Sequence, residues 1–194
     1  MLRRLGERGF SLVELMIAVS ILGFLIALGM PSLSIYIQTA RLGNMAKSFY
    51  SGAQLARTEA IRRNQAVEFV LTDTPVAPGI ETAAVPSATG RNWLVRLTNA
   101  SGVVQLVEAR SVLEGGGLVP GMTTAGTAAT ISFNSLGANV AAATDTIAIA
   151  NPPAGLCDPA GPVRCWNIVV SPGGQIRLCN PSAASASAGD TRGC

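Results

Sequence analysis

Residues 10–30 read FSLVELMIAVSILGFLIALGM, and this stretch decides what kind of protein the chain encodes. As an α-helix its 21 residues extend about 30 Å, the thickness of the hydrocarbon core of a bilayer. One charged side chain, Glu14, interrupts the apolar run near its start. An ionisable group costs about 2.5–3.5 kcal/mol at the centre of a membrane helix and less near its end. The stretch therefore predicts a membrane helix with a carboxylate that needs a partner.

The residues on either side of this helix predict its orientation. Arg3, Arg4 and Arg8 precede it, so the positive-inside rule places residues 1–9 in the cytoplasm and exports the chain that follows. A secretory signal peptide would have a shorter apolar core and a small-residue cleavage site, and the downstream sequence GMPSLSIYIQTARL offers no convincing one. A plain signal anchor explains the orientation but leaves Glu14 unexplained.

The sequence GFSLVE at residues 9–14 resembles the prepilin signature of type IV pilins and type II secretion pseudopilins. The resemblance implies that residues 1–9 are a leader peptide, which a dedicated membrane peptidase removes by cutting between Gly9 and Phe10. It also implies N-methylation of Phe10 and a place for Glu14 at the fifth mature position. Pro31 falls where many pilins have a helix-kinking proline. The members of this family are single-pass proteins of the bacterial inner membrane that assemble into a pilus or pseudopilus.

Glu14 then has a predicted role in subunit assembly. In a filament of packed helices, the Phe10 amine of a neighbouring subunit can pair with this carboxylate in apolar surroundings. The alternative interpretation is that Glu14 reaches the lipid headgroups and pairs with no other subunit.

A second helical segment follows the predicted transmembrane and filament-core helix of residues 10–37. Apolar residues recur there at three- and four-residue spacing, which predicts an amphipathic helix over residues 38–64 that ends near Arg63-Asn64 and packs on a globular domain. The sequence QLARTEAIRRNQAV at 54–67 resembles a segment typical of the FimT/GspH group of minor pilins and pseudopilins. The basic pair Arg62-Arg63 either complements the helix C-terminus or binds a ligand. The apolar residues that recur at three- and four-residue spacing form one stripe of the predicted amphipathic helix: Leu42, Met45, Ala46, Phe49, Ala53, Ala56 and Ala60.

From residue 65 onward, short apolar runs between turn residues predict a small exported β domain over 65–194. Asn99–Gly102 and Pro172–Gly174 read as hairpin turns, and 72–91 reads as a Pro/Gly-rich loop. The fold class is therefore α+β: a long N-terminal helix packed on a mostly antiparallel β domain, as in type IV pilins. The predicted strands are 66–71, 93–98, 103–109, 130–134, 146–150, 167–171 and 175–179.

All four cysteines lie in the last 38 residues, and none forms a CxxC pair, which argues against zinc and thioredoxin-like sites. In an exported chain an even count favours two disulfides. Three pairings are possible, and we favour Cys157–Cys165 with Cys179–Cys194 because each closes a short local loop. The second bond would tether the low-complexity segment 181–193.

Composition excludes several functions. The chain has no histidine and shows no cluster of metal ligands or catalytic groups, so we expect neither an enzyme nor a cofactor. It has 14 basic and 11 acidic residues; residues 1–9 hold three arginines and one glutamate, so the mature chain has 11 and 10, a net charge of +1. That balance gives no global electrostatic argument for nucleic-acid binding.

DNA capture remains a local question at the C-terminal hairpin. In the FimT branch a C-terminal Gly-Arg-x-Arg motif is associated with binding of double-stranded DNA. Here the corresponding residues are Gly174-Gln175-Ile176-Arg177, so a neutral glutamine replaces the first arginine. Arg164 and Arg192 are candidates to supplement Arg177.

The predicted function is that of a non-catalytic minor pilin, FimT-like, which takes part in assembly or initiation of the type IV pilus. The alternative is a GspH-type pseudopilin of type II secretion. The predicted partners are other pilins or pseudopilins, the prepilin peptidase, the inner membrane and, as an additional candidate, DNA.

Overall fold

The computed structural model describes residues 10–115, 121–181 and 193–194, without the side chains of residues 27–32. The chain divides into two compact units, the first ending at Tyr36 and the second running from Ile37 to Cys194. One helix, α1, comprises Leu12–Arg63 and extends through both ranges. The other elements are β1 (Val67–Thr72), α2 (Ile80–Ala83), β2 (Asn92–Thr98), β3 (Val104–Arg110), β4 (Thr123–Gly126), β5 (Thr130–Phe133), β6 (Asp145–Ala150), β7 (Trp166–Val170) and β8 (Ile176–Cys179), with 3-10 turns at Val112–Gly115 and Pro152–Ala154.

Eight strands of the second unit form two four-stranded sheets. Sheet A has the order β3-β2-β1-β5, and sheet B has the order β4-β6-β7-β8. Every neighbouring pair in both sheets is antiparallel. The predicted α+β class, with a long N-terminal helix on a mostly antiparallel β domain, is confirmed.

The core lies between the second half of α1 and the two sheets. All seven residues of the predicted apolar stripe are buried there, so the interpretation of that helical face is confirmed. Phe49 of α1 packs edge-on against Phe69 of β1, with ring centroids 6.4 Å apart. Phe69 also contacts Trp93 of β2, at a centroid distance of 5.7 Å. The Trp93 indole Nε1 donates a hydrogen bond to Ser48 Oγ at 3.0 Å, which satisfies its buried N–H.

Helix α1 ends where the sequence predicted. Asn64 has φ 53°, a left-handed conformation that asparagine tolerates better than most residues, and it directly follows Arg63. The Gln65 N–H donates to the Ala60 carbonyl at 3.2 Å, which satisfies one carbonyl of the last helical turn.

The segment 72–91, expected to be a loop, contains the short helix α2. Its Ile80 is buried together with Ala84, Val70 and Leu94 in a second, smaller apolar cluster. This cluster covers the face of sheet A opposite to α1, which explains why β1 and β2 are buried on both faces and show no strict alternation. Sequence periodicity missed α2 because one helical turn is too short to show a period.

Both predicted hairpin turns are present. Asn99 Oδ1 accepts hydrogen bonds from the Ser101 and Val103 N–H groups, and Gly102 supplies a positive φ of 78°.

Strand β4 was not predicted, because TTAG has neither an apolar run nor a β-branched pattern across its length. It forms by pairing with β6.

Candidate assembly site

The first turn of α1 is fixed by a side-chain cap. Ser11 Oγ accepts a hydrogen bond from the Glu14 N–H at 3.2 Å, and the Leu15 N–H donates to the Ser11 carbonyl at 3.1 Å. Ser11 is therefore the N-cap residue, and Glu14 occupies the N3 position of a Ser-x-x-Glu capping sequence. A carboxylate there also complements the positive end of the helix dipole. Ser11 was not predicted to have a role, although the Ser-x-x-Glu capping sequence could have identified it.

Glu14 stands within an exposed apolar surface. The large apolar side chains from Phe10 to Ile26 are exposed, from 81% for Phe10 to 50% for Ile26. In the sequence no other charged residue occurs between Phe10 and Ala40. An apolar surface of this size in a protein marks a contact with other proteins or with lipid.

Several predicted features lie outside the described residues. The leader, including Gly9, lies outside them, so the cleavage site is not described. Helix α1 continues through Pro31, whose side chain is likewise outside them, and the predicted kink stays a prediction. In the described part of the chain, the structure contains no helix that is long and apolar enough to cross a membrane.

The basic pair at the end of α1 is engaged with a buried carboxylate. Glu59, whose side chain is 12% exposed, accepts hydrogen bonds from Arg62 Nε (2.9 Å) and Arg62 Nη2 (2.6 Å), and from Arg63 Nε (2.6 Å). The hydrogen bonds from Arg62 and then Arg63 lower the pKa of Glu59 to about 2. These contacts favour the structural interpretation of the pair over ligand binding. The spacing of Glu59 to both arginines, three and four residues, could have indicated this network from the sequence.

Two of the three candidate arginines, Arg164 and Arg177, lie among the described residues, and each contacts a different group. Arg177 is exposed on β8, and its Nη2 donates to the Gly193 carbonyl at 3.3 Å. Arg164 precedes β7, and its guanidinium carbon lies 5.9 Å from the centre of the Trp166 ring. Arg192 lies outside the described residues, and Gln175 is exposed beside the turn.

Two disulfides close the C-terminal region. Cys157 bonds to Cys165 and Cys179 bonds to Cys194, which is the sequential pairing that the sequence favoured. The second bond holds Gly193 beside Asn180, next to the start of the segment that the sequence predicted to be tethered.

A groove beside α1 offers no catalytic arrangement. It has a volume of about 410 Å³ and lies between α1, β2, β3 and the 3-10 turn after β3. Its charges compensate one another: Arg110 Nε donates to Glu108 at 2.8 Å, and Glu108 raises the pKa of Arg110 above its usual value. Among the described residues, no group of three or more His, Cys, Asp or Glu side chains could hold a metal ion.

A capped helix with an exposed apolar surface, continued by an amphipathic half that packs on antiparallel sheets, defines a pilin-like protein. The family profile described as type II transport protein GspH matches residues 45–174, more than half of the chain, and the chain belongs to this family. The prokaryotic N-terminal methylation motif matches residues 4–30. The recognition made from the two sequence motifs is thereby confirmed. Family membership makes the chain a minor pilin or pseudopilin of the type IV pilus or type II secretion class, a structural subunit that associates with other pilins or pseudopilins.

Two solved structures are similar to this chain. The crystal structure of the type IV minor pilin FimU from Pseudomonas aeruginosa is 16% identical, covers 74% of this chain and 91% of that chain, and has a TM-score of 0.53. The minor pseudopilin EpsH from the type 2 secretion system of Vibrio cholerae is also 16% identical, covers 70% of this chain and 94% of that chain, and has a TM-score of 0.45. At this identity the FimU likeness shows the fold alone. The chain has no sequence match among curated proteins.

Proposed function

We propose that this chain is a FimT-like minor pilin, a non-catalytic subunit that takes part in assembly or initiation of the type IV pilus. The observation that supports the proposal is the position of Glu14, the sole charged residue between Phe10 and Ala40, within the exposed apolar part of α1. In an assembled filament the neighbouring apolar helices would cover this surface, and the carboxylate would pair with the Phe10 amine of an adjacent subunit.

The processing steps belong to the same proposal. Residues 1–9 are a cytoplasmic leader, the prepilin peptidase cuts between Gly9 and Phe10, and Phe10 is methylated. Residues 10–37 hold the protein in the bacterial inner membrane as a single pass before assembly, and Pro31 bends or loosens the helix there. The domain that begins after residue 37 is exported into the periplasm.

A GspH-type pseudopilin of type II secretion is the alternative within the same family. The Arg-Leu-Cys end of β8 and its Cys179–Cys194 bond support the FimT-like branch. DNA capture is a weaker candidate, because Arg177 already binds the Gly193 carbonyl and Gln175 carries no charge.

The deciding experiment uses the native host. We expect an epitope-tagged copy to be present in sheared surface pili, and a deletion of the gene to reduce the number of pili per cell. Secretion of type II substrates should be unchanged in the deletion strain. Normal piliation combined with loss of type II secretion would contradict the proposal and favour the pseudopilin.

A further inference from the structure

A leucine stands at the tip of a turn in the second unit. Leu136 lies in the turn Asn134–Gly137 after β5 and is 83% exposed, more than any other large apolar side chain of the described residues. One exposed leucine on a protein surface is ordinary and needs no explanation. The way in which this turn is held is what distinguishes Leu136.

The turn is fixed by its own hydrogen bonds. Asn134 Oδ1 accepts from the Leu136 and Ala138 N–H groups, each at 3.0 Å. The Gly137 N–H donates to the Asn134 carbonyl at 2.8 Å, and the Asn134 N–H donates to the Ala138 carbonyl at 2.9 Å. Gly137 has a φ of 77°, which a residue with a side chain rarely adopts. The backbone that presents Leu136 is therefore held in one conformation.

The turn also contacts two other elements, α1 and the β7–β8 turn. Arg57 Nε of α1 donates to the Gly137 carbonyl at 3.1 Å. On the other side, a Cβ added to Gly174 of the β7–β8 turn would overlap this same carbonyl oxygen, so that glycine permits the close approach. The Asn139 N–H donates to the Pro172 carbonyl at 3.1 Å, which joins the two turns a second time.

The surroundings of Leu136 combine apolar area with positive charge. Ile61 of α1 is 50% exposed, and its Cδ1 would lie 2.7 Å from a Cβ on Gly137. Arg57, whose Nε binds the Gly137 carbonyl, brings a positive charge to the turn. Residues 57–63 of α1 have a net charge of +2, with Arg62 and Arg63 both bound to Glu59.

We propose that Leu136 and Ile61 form a docking surface for a second pilin-like subunit, which receives Leu136 in an apolar pocket rimmed by carboxylates. The proposal rests on the proposed function, because family membership implies association with such subunits. Because the backbone that carries Leu136 is already held in one conformation, docking requires no ordering of that backbone, which lowers the entropy cost of using Leu136 as an interface anchor. Arg57, which contacts the turn, favours an acidic rim through charge complementarity.

Site-specific photocrosslinking of the full chain in its host tests this surface. A photoreactive amino acid replaces Leu136, Ile17 or Val85 in separate strains. Val85 is the matched control because it is an exposed apolar residue of the second unit that lies outside the docking surface. We expect Leu136 and Ile17 to crosslink to proteins with a prepilin-type N-terminus, identified by mass spectrometry, and Val85 to give at least about tenfold less of that product.

The outcomes separate the two proposals. Crosslinks from Ile17 without any from Leu136, or a Leu136 partner that has no prepilin-type N-terminus, would overturn the docking surface and leave the proposed function standing. No pilin-like partner from Ile17 would count against the proposed function. Equal products from Leu136 and Val85 would also overturn the docking surface.

Substitutions give an independent measurement. Leu136→Asp puts a negative charge opposite the acidic rim, and we expect it to lower the amount of chain in sheared filaments about tenfold or more. Val85→Asp should leave that amount within about twofold, since its side chain is exposed elsewhere. Because both side chains are exposed, neither variant should lower the melting temperature of the second unit. Wild-type incorporation of Leu136→Asp would contradict the proposal.

Discussion

Gly52 of α1 lies against the Trp93 ring so closely that a Cβ added to it would be 2.8 Å from two ring carbons and equally close to Phe69. By helix propensity alone, a glycine within a helix is destabilising by up to about 1 kcal/mol relative to alanine. The structure shows that it permits close contact between the helix and sheet A. The low helix propensity of this glycine is therefore accepted in exchange for the close packing that it permits in the core.

Gly52→Ala should consequently destabilise the domain although alanine favours helix. Overpacking of a core costs about 1–3 kcal/mol, which exceeds the helix-propensity gain of about 1 kcal/mol. Gly43→Ala is the matched control: its Cβ would make an ordinary contact with Trp166 Nε1 at 3.7 Å. We expect that variant to be more stable by up to about 1 kcal/mol. Urea denaturation of residues 38–194 measures both changes, and equal stabilisation by the two alanines would contradict the packing argument.

Glu59 should make the stability of the domain depend on acidic pH. Its pKa is lowered to about 2 in the folded protein from an ordinary value of about 4.5, so its ionised form favours folding. The contribution is fully present above pH 4.5 and is lost as the pH falls towards 2. We expect Glu59→Gln to lower the free energy of unfolding by about 1 kcal/mol at about pH 7, after allowance for the exposed Arg62, and by much less at about pH 2.5.

The control for Glu59 is an exposed carboxylate that interacts weakly. Glu114 is half exposed and lies 3.8 Å from Arg110, so Glu114→Gln should change the stability by less than about 0.5 kcal/mol. Thermal unfolding of both variants between about pH 7 and about pH 2.5 gives the comparison. An equal loss for Glu59→Gln at the two pH values would show that the carboxylate acts by packing rather than by charge.

The helix and the strands with apolar patterns could be predicted from the sequence because their signals are local. The stripe from Leu42 to Ala60 has helical period, and Asn64 ends the helix by a conformation that the residue itself favours. Strand β4 and helix α2 could not be predicted, since pairing with β6 and burial of Ile80 against sheet A create them.

The candidate site was predictable to a different extent. The position of Glu14 in an apolar run is visible in the sequence, and the cap at Ser11 could have been seen there too. The contacts that hold the turn of Leu136 could not be predicted from the sequence. Arg57, Gly137 and Gly174 are distant along the chain and meet only in the folded domain.

The two disulfides should differ in their contribution to stability. Cys179–Cys194 has a sequence separation of 15 and Cys157–Cys165 a separation of 8, so the first constrains the unfolded chain more. Replacing either pair by alanines should lower the free energy of unfolding by about 2–4 kcal/mol. The loss should be larger by about 0.5 kcal/mol for Cys179–Cys194 than for Cys157–Cys165. Urea denaturation under non-reducing conditions measures each loss. A larger loss for the shorter loop would show that native contacts, not loop closure, decide the difference.

DNA capture by the C-terminal hairpin predicts weak binding that depends on Arg177. Each phosphate contact contributes about 0.9 to the slope of log affinity against log salt, so one arginine supports a small slope. We expect residues 38–194 to retard double-stranded DNA at low salt only, and Arg177→Gln to reduce both the affinity and the slope. Arg110→Gln is the control, because that exposed arginine lies on β3 and binds Glu108. Absence of retardation at high micromolar protein and low salt would exclude capture by this domain.

The role of Glu14 can be separated into capping and pairing. Glu14→Ala removes the carboxylate, and we expect the leader still to be cut after Gly9 while incorporation into filaments falls about tenfold or more. Glu14→Gln is the sharper variant, because glutamine at N3 can still serve the capping sequence but carries no charge. If Glu14 pairs with the Phe10 amine of a neighbour, the Glu14→Gln variant should be as poorly incorporated as the Glu14→Ala variant.

Ser11→Ala gives the reciprocal measurement. It removes the hydrogen bond to the Glu14 N–H, which costs about 1 kcal/mol at a helix N-terminus, but it keeps the carboxylate. We therefore expect the leader of Ser11→Ala to be cleaved normally, which the N-terminal mass measures. Its incorporation into filaments should fall much less than that of Glu14→Gln, as measured by immunoblots of sheared filaments. The opposite result, in which Ser11→Ala lowers incorporation more and Glu14→Gln is incorporated almost as well as wild type, would show that Glu14 stabilises the start of its own helix and does not pair with a neighbouring subunit. In that case the exposed apolar surface alone would drive assembly.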